Sequence, residues 1–122
     1  MKFKIDPLIS RIHTAAFALV IFSALNSASA ATNDLASTLQ KGLFEEEANH
    51  NYSAAITAYE SVISRFDDNR KLAGTAIFRL GEIYRKQGKT NEATAQYRRI
   101  VREFADQAEI ADLSRPYLAV AG

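Results

Sequence analysis

Side chains able to do covalent or metal chemistry are few in this sequence, and their placing argues against catalysis. Beyond the first thirty residues there is one histidine, His50, in a polar break, and no cysteine occurs anywhere. Serine triads, thiol catalysis and the common zinc spacings therefore lack parts, and no metal or cofactor is expected. Glu47 and Glu82 could face each other across a groove, but acid–base work by such a pair needs a deep pocket to shift their pKa values. The stretch "GEIYRKQGK" from Gly81 to Lys89 lacks the glycine spacing of a phosphate loop. Arg98, Arg99 and Arg102 share one side of a helix with Glu92 and Glu103 close by, which reads as a solvated face. Glu45, Glu46 and Glu47 likewise read as an exposed helix side with modest capacity for a basic partner. The inventory predicts a non-enzymatic, binding protein.

Composition narrows the partner class. The chain has 122 residues, 48% of them hydrophobic, and a net charge of +1, which suits one small folded domain. There is no basic footprint of the kind a nucleic-acid binder carries. Residues 1–30 read as a signal peptide: Lys2, Lys4, Arg11 and His13 in a polar lead, an apolar run from Thr14 to Leu25, then Ala28 and Ala30 bracketing Ser29. The run is about 12 residues, short of the roughly 20 that a spanning helix needs. Cleavage is expected after Ala30, leaving no stable membrane span. Removing this segment takes away three of 15 Lys/Arg and one of 14 Asp/Glu, so 12 basic and 13 acidic residues remain. No lipid-acceptor cysteine follows the apolar run, and the expected location is periplasmic or secreted.

The elements that must position any binding residue come from an internal repeat. Shifted by 38 residues, Leu39 meets Ile77, Ala55 meets Ala93, Tyr59 meets Tyr97, Val62 meets Ile100 and Phe66 meets Phe104. The same shift pairs Leu72 with Ile110, Ala73 with Ala111 and Leu80 with Leu118, so two units and the start of a third are related. Each unit holds two apolar stripes at helical spacing, and no segment has the alternation of a strand. The spacing predicts helices over about 33–48, 52–66, 70–87, 90–104 and 108–120. Asn49–Asn51 and Gln87–Asn91 supply turn chemistry, with Gly88 as the left-handed residue after a helix end. Asp67–Asn69 offers an N-cap near Arg70. Pro116 predicts a kink in the last helix or a restart near Ser114.

At Leu80, Gly81, Tyr84, Ala93 and Tyr97 the second unit resembles a tetratricopeptide repeat, and Ala55 with Tyr59 carries half of that pattern in the first. In the first unit the Leu-Gly-Tyr positions hold Gly42, Leu43 and Glu46. The period exceeds the usual 34 by four, which is assigned to the connection "DDNRKLAG". This longer unit is similar to the envelope subgroup that includes the Tol-Pal-associated periplasmic repeat protein and the outer-membrane assembly lipoprotein. The resemblance implies an all-α fold of antiparallel helix pairs in a right-handed superhelix, about two and a half repeats long. Residues 31–122 would form the domain, with repeats over about 36–69 and 74–107 and a final helix over about 108–120. Gly81 and Ala93 would sit at a helix crossing, with Tyr84 and Tyr97 on either side and Ala55 with Tyr59 in the equivalent places.

It also implies a scaffold or adaptor whose first helices line a concave groove for a partner's peptide or helix. Ser37, Gln40, Phe44 and Glu47 from the first unit, and Thr75, Phe78, Glu82 and Arg85 from the second, would line that groove. Phe44 and Phe78 are the expected apolar anchors. The alternative is a self-associating envelope component in which Asp112, Ser114 and Arg115 fail to cap the array. Leu113, Tyr117, Leu118 and Val120 would then present an apolar end to another copy and form a homo-oligomer.

Overall fold

A computed structural model describes residues 30–121. The expected signal peptide falls outside the described residues, apart from Ala30. Helix α1 covers residues 30–47, followed by α2 (Tyr52–Ile63), α3 (Arg70–Lys86), α4 (Thr90–Glu103) and α5 (Ala108–Ala121). The fold of the described residues is all-α, with no strand.

Local chemistry explains each break. Asn51 caps α2 by accepting from the Ala54 N–H at 3.2 Å, and Asn69 caps α3 by accepting from the Leu72 N–H at 3.1 Å. At the far end of α3, Gly88 takes φ +74°, the Lys89 N–H reaches the Tyr84 carbonyl at 2.8 Å, and the Gly88 N–H reaches Arg85 at 3.0 Å. This pair of bonds is a Schellman ending, and it turns the chain into α4 within three residues. His50 stands 38 residues earlier and also has positive φ, at 52°. The first unit reverses there without glycine but by a different turn: four residues, 48–51, separate the helices, and the Asn51 N–H reaches the Glu45 carbonyl at 2.8 Å. Helix α2 is shorter than expected: residues 64–68 are turns, not its last helical turn.

Packing follows the repeat. Leu39, Ala55, Tyr59, Val62, Ala76 and Ile83 form one buried cluster where α1, α2 and α3 meet. Ala73, Ile77, Ile100, Phe104 and Ala111 form a second where α3, α4 and α5 meet. Helix α3 thus serves both clusters, which is how neighbouring units come to share a core. Its 17 residues begin at Arg70, inside the stretch "DDNRKLAG". There Arg70 donates to the Glu103 carbonyl at 2.8 Å, pairs with Asp106 and covers the Phe104 ring at 4.7 Å.

Each unit also places a glycine on its first helix against a tyrosine ring of its second. A Cβ on Gly81 would come within 3.0 Å of the Tyr97 ring and 3.3 Å of Gln96 Cβ. A Cβ on Gly42 would stand 2.6 Å from the Tyr59 ring. The close approach at Gly81 is therefore to Tyr97 and Gln96, where the sequence pointed to Ala93. Gly42 is the matching glycine although it lies one residue away from the 38-residue offset. Because Tyr59 is fully buried, its ring cannot swing away, and Gly42→Ala is expected to lower stability by about 1–3 kcal/mol as an overpacking substitution. Chemical denaturation with an unchanged m-value checks this; a loss below about 0.5 kcal/mol would show that the ring yields.

The last helix departs from expectation. It runs through Pro116 without a break. The proline removes the donor that would serve the Asp112 carbonyl, and Asp112 is exposed, so water can take that place. Ser114, one of the three polar residues considered as a cap for the array, is fully buried and donates to the Ile110 carbonyl at 2.7 Å. A small hydroxyl that back-bonds to its own helix can enter the core without leaving a polar group unsatisfied.

Candidate functional site

The first helices are tied together by a carboxylate that sequence reasoning had assigned to the surface. Glu46 of α1 is 2% exposed. Its Oε2 accepts from Tyr59 Oη at 2.6 Å and from Arg79 Nε at 3.1 Å. Its Oε1 meets Arg79 Nη2 at 3.1 Å and Lys86 Nζ at 3.2 Å. Arg79 also donates to Glu47 at 2.6 Å. The fork-to-fork pairing of Arg79 with Glu46 fixes the approach of α3 to α1, because a bidentate contact sets angle as well as distance. Burial pushes the Tyr59 phenol up, and the Glu46 contact adds to this, so it remains a neutral donor. Burial alone would lower Arg79, but its bonds to Tyr59 and Glu46 prevail and hold it above the usual arginine value. The clue lay in the stripe itself: Leu35, Leu39, Gly42 and Glu46 recur at intervals of four, three and four, so Glu46 continues the buried face of α1.

The second unit carries an analogous set. Tyr97 donates to Glu82 Oε1 at 2.6 Å, and Arg85 pairs with Glu82 Oε2 at 2.8 Å. Tyr117 of α5 stacks on Tyr97 with centroids 4.5 Å apart, and Arg85 lies 5.2 Å above the Tyr117 ring. Burial pushes the Tyr97 phenol up, reinforced by Glu82. For Glu82, burial acts to raise the carboxyl, but the bonds from Arg85 and Tyr97 outweigh it and leave it below the usual carboxylate range.

A carboxyl held low in the folded state favours folding above its unfolded pKa, about 4.3, and loses that contribution as pH falls through its folded value. The unfolding free energy should therefore fall on acidification below about pH 4.3, and Glu82→Gln should flatten that part of the profile. Urea titrations at several pH values measure it; parallel profiles for the two proteins would contradict the assignment.

The residues expected to line a groove are distributed as follows. Gln40, Phe44 and Glu47 share one face of α1 at helical spacing, and Glu47 reaches across to α3 through Arg79. Ser37 is exposed near the same face. Thr75, Phe78 and Glu82 are half-buried on one face of α3, and Arg85 is exposed beside them. Phe44 is 59% exposed. Phe78 instead packs against the second core cluster, with its ring 6.0 Å from Tyr97. The two phenylalanines are thus unequal: Phe44 is an unsupported ring on the surface, and Phe78 is half structural. Glu47 and Glu82 are each engaged by an arginine.

Among the residues expected at helix crossings, Ala55, Tyr59, Ala93 and Tyr97 are buried. Tyr84 is half-buried, with Lys89 Nζ 5.8 Å from its ring. At the far end, Leu113 is 52% exposed. Leu118 is half-buried, Tyr117 is occupied with Tyr97, and the side chain of Val120 lies outside the described residues. An open cleft of about 490 Å³ lies between the starts of α3 and α5, lined by Lys71, Thr75, Glu109 and Ile110 among others. Among the described residues no helix is long and apolar enough to cross a membrane.

A model of the tetratricopeptide repeat matches residues 75–106, from the first turns of α3 to the turn after α4. Over these residues the chain is similar to a tetratricopeptide repeat. Comparison with curated proteins and with solved structures found no match. The matched repeat contains both members of the Gly81–Tyr97 contact, and the pair α1–α2 has the corresponding contact between Gly42 and Tyr59. Tetratricopeptide repeats serve in general as non-catalytic surfaces for protein–protein interaction.

Proposed function

We propose that this chain is an exported adaptor whose first-helix face binds a partner protein in the cell envelope. The observation that carries this reading is Phe44. Its ring is 59% exposed on that face, and it is absent from the buried clusters that hold the helices together. A large apolar side chain with no role in the fold is what an interface anchor looks like before its partner arrives. The similarity of residues 75–106 to a tetratricopeptide repeat supports a protein as the ligand. Export is supported by the basic lead, the short apolar run and the small residues before Ala31. The 38-residue period supports kinship with the envelope subgroup.

The test is a photo-crosslinking side chain placed at Phe44, with the exposed Arg98 of α4 as control. The expected result is a crosslinked protein from position 44 and none from position 98, in envelope fractions where the recovered chain begins at Ala31. Equal crosslinking from both positions overturns the assignment of the face. A chain recovered only with its first thirty residues in place, or only from the cytoplasm, overturns the export.

A further inference from the structure

Readily oxidised side chains are few in this chain, and the fold brings two of them together. There is no cysteine and no tryptophan, and the single methionine is Met1. Thiols and thioethers ordinarily absorb oxidants first. With neither beyond position 1, the five tyrosines are the side chains that give up one electron most easily. They are not equally placed. Among the described residues one pair of tyrosine rings is in contact: Tyr97 of α4 and Tyr117 of α5, with centroids 4.5 Å apart and planes 15° from parallel. Near-parallel rings at that distance have edge carbons in van der Waals contact.

The surroundings of the pair favour loss of an electron from it. Tyr97 is 1% exposed and Tyr117 is half-buried, so an oxidant in solution meets Tyr117 first and can draw on the ring stacked behind it. Tyr97 is the better final donor, because its hydroxyl donates to Glu82 Oε1 at 2.6 Å. A phenol that has lost an electron is a strong acid, and a carboxylate at hydrogen-bond distance is placed to take its proton. The Arg85 guanidinium, 5.2 Å from the centre of the Tyr117 ring, opposes positive charge on that ring. Tyr59 has the matching bond to Glu46 at 2.6 Å, but the residue 38 positions before Tyr117 is Arg79. The first unit can therefore release a proton in the same way, yet it has no second ring to couple with.

We propose that Tyr97 and Tyr117 are a site of oxidative modification, where two one-electron oxidations join the rings by a carbon–carbon bond and tie α5 to α4. The first oxidation takes an electron from Tyr97 by way of Tyr117, and the Tyr97 phenolic proton passes to Glu82. The second takes an electron from Tyr117, whose phenolic proton leaves to water. The two neutral radicals combine between carbons ortho to the hydroxyls. As the rings regain aromaticity, the hydrogens on those carbons move to the phenolic oxygens. The sum is a loss of two electrons and two protons, and the electrons reduce two equivalents of a one-electron oxidant, such as a high-valent metal complex formed from peroxide. The product fixes a helix otherwise packed on one side only. The site concerns the joint between α4 and α5 and does not rest on the binding reading above.

The probe is photogenerated tris(bipyridyl)ruthenium(III), a one-electron oxidant, applied to the dilute full chain. The expected product is a single chain lighter by two hydrogen atoms, with the fluorescence of a biphenol, in which peptide mass spectrometry finds Tyr97 linked to Tyr117. Its melting midpoint should rise by about 10 °C, because the bond closes a loop of about 20 residues in the unfolded state. Tyr117→Phe keeps a ring in the stack and should abolish the product, whereas Tyr52→Phe with Tyr84→Phe should leave its yield unchanged. Glu82→Gln can still accept the hydrogen bond but not the proton, and should slow the linkage by at least about tenfold.

Melting of each variant before oxidation establishes that it is folded. Links spread evenly over the tyrosines, links chiefly between copies, or oxidised tyrosines without a bond from 97 to 117 overturn the proposal. An undiminished yield from Tyr117→Phe does the same. An unchanged rate in Glu82→Gln overturns the part assigned to the carboxylate.

Discussion

Replacing Arg79 with alanine is expected to lower the unfolding free energy by about 2–4 kcal/mol, somewhat less than the roughly 3–5 kcal/mol typical of stranding one member of a fully buried ion pair. The carboxylate of Glu46 has no side-chain exposure, so it cannot recover by turning to water. Lys86 and Tyr59 would remain to it, and the Arg79 guanidinium is itself partly exposed, so the loss should not exceed that range. Arg79→Lys should recover only part, because an ammonium cannot reproduce the two parallel bonds.

A double-mutant cycle with Glu46→Gln isolates the pair. A coupling above about 1 kcal/mol is expected, and additivity within about 0.5 kcal/mol would show that the contact contributes nothing of its own. The clasp also joins the two units, since Glu46 belongs to the first and Arg79 to the second. Its loss should therefore alter the spacing of Phe44 from Phe78, and with it partner binding.

The second large effect is expected at Tyr97. Removing a fully packed aromatic side chain costs about 3–5 kcal/mol, and Tyr97→Ala should fall in that range. The ring fills the space left by Gly81, touches Phe78 and supports Tyr117. Tyr97→Phe keeps those contacts and removes only the hydroxyl bond to Glu82, so about 1.5 kcal/mol is expected, at the lower end for a bond to a charged acceptor. Denaturant unfolding separates the two variants.

Amide exchange adds a local readout. Without its platform under Tyr117, α5 should lose protection before α1 and α2 do, because a terminal helix in a repeat array is packed on one side only. Uniform loss across all five helices would mean that the array unfolds as one cooperative unit.

Both effects involve groups whose environment the sequence described unevenly. Helix limits were legible to within a few residues, because capping is a local matter: Asn51, Asn69 and Gly88 act on backbone groups three to five positions away. The assignment of Tyr59 and Tyr97 to packing was also accessible, since a conserved offset between units places like side chains in like surroundings. Glu46 was misjudged because residue type was weighed above phase. A carboxylate in a run of three looks solvated, yet its position continues the stripe of Leu35, Leu39 and Gly42. Its burial is possible only because Arg79 and Lys86 arrive from 33 and 40 residues away. Ser114 shows the same thing on a smaller scale.

What the sequence determined by itself is the repeated pair of helices, their ends and their buried stripes, because those depend on backbone hydrogen bonding and on spacing within one helix. The tertiary structure decided which polar groups could be buried and which phenylalanine stayed at the surface. Phe44 and Phe78 look alike along the chain, but only Phe78 has Tyr97 and the second core cluster beside it. The physical reason is that burial is a property of what arrives from elsewhere in the chain, and a side chain's own helix cannot supply it.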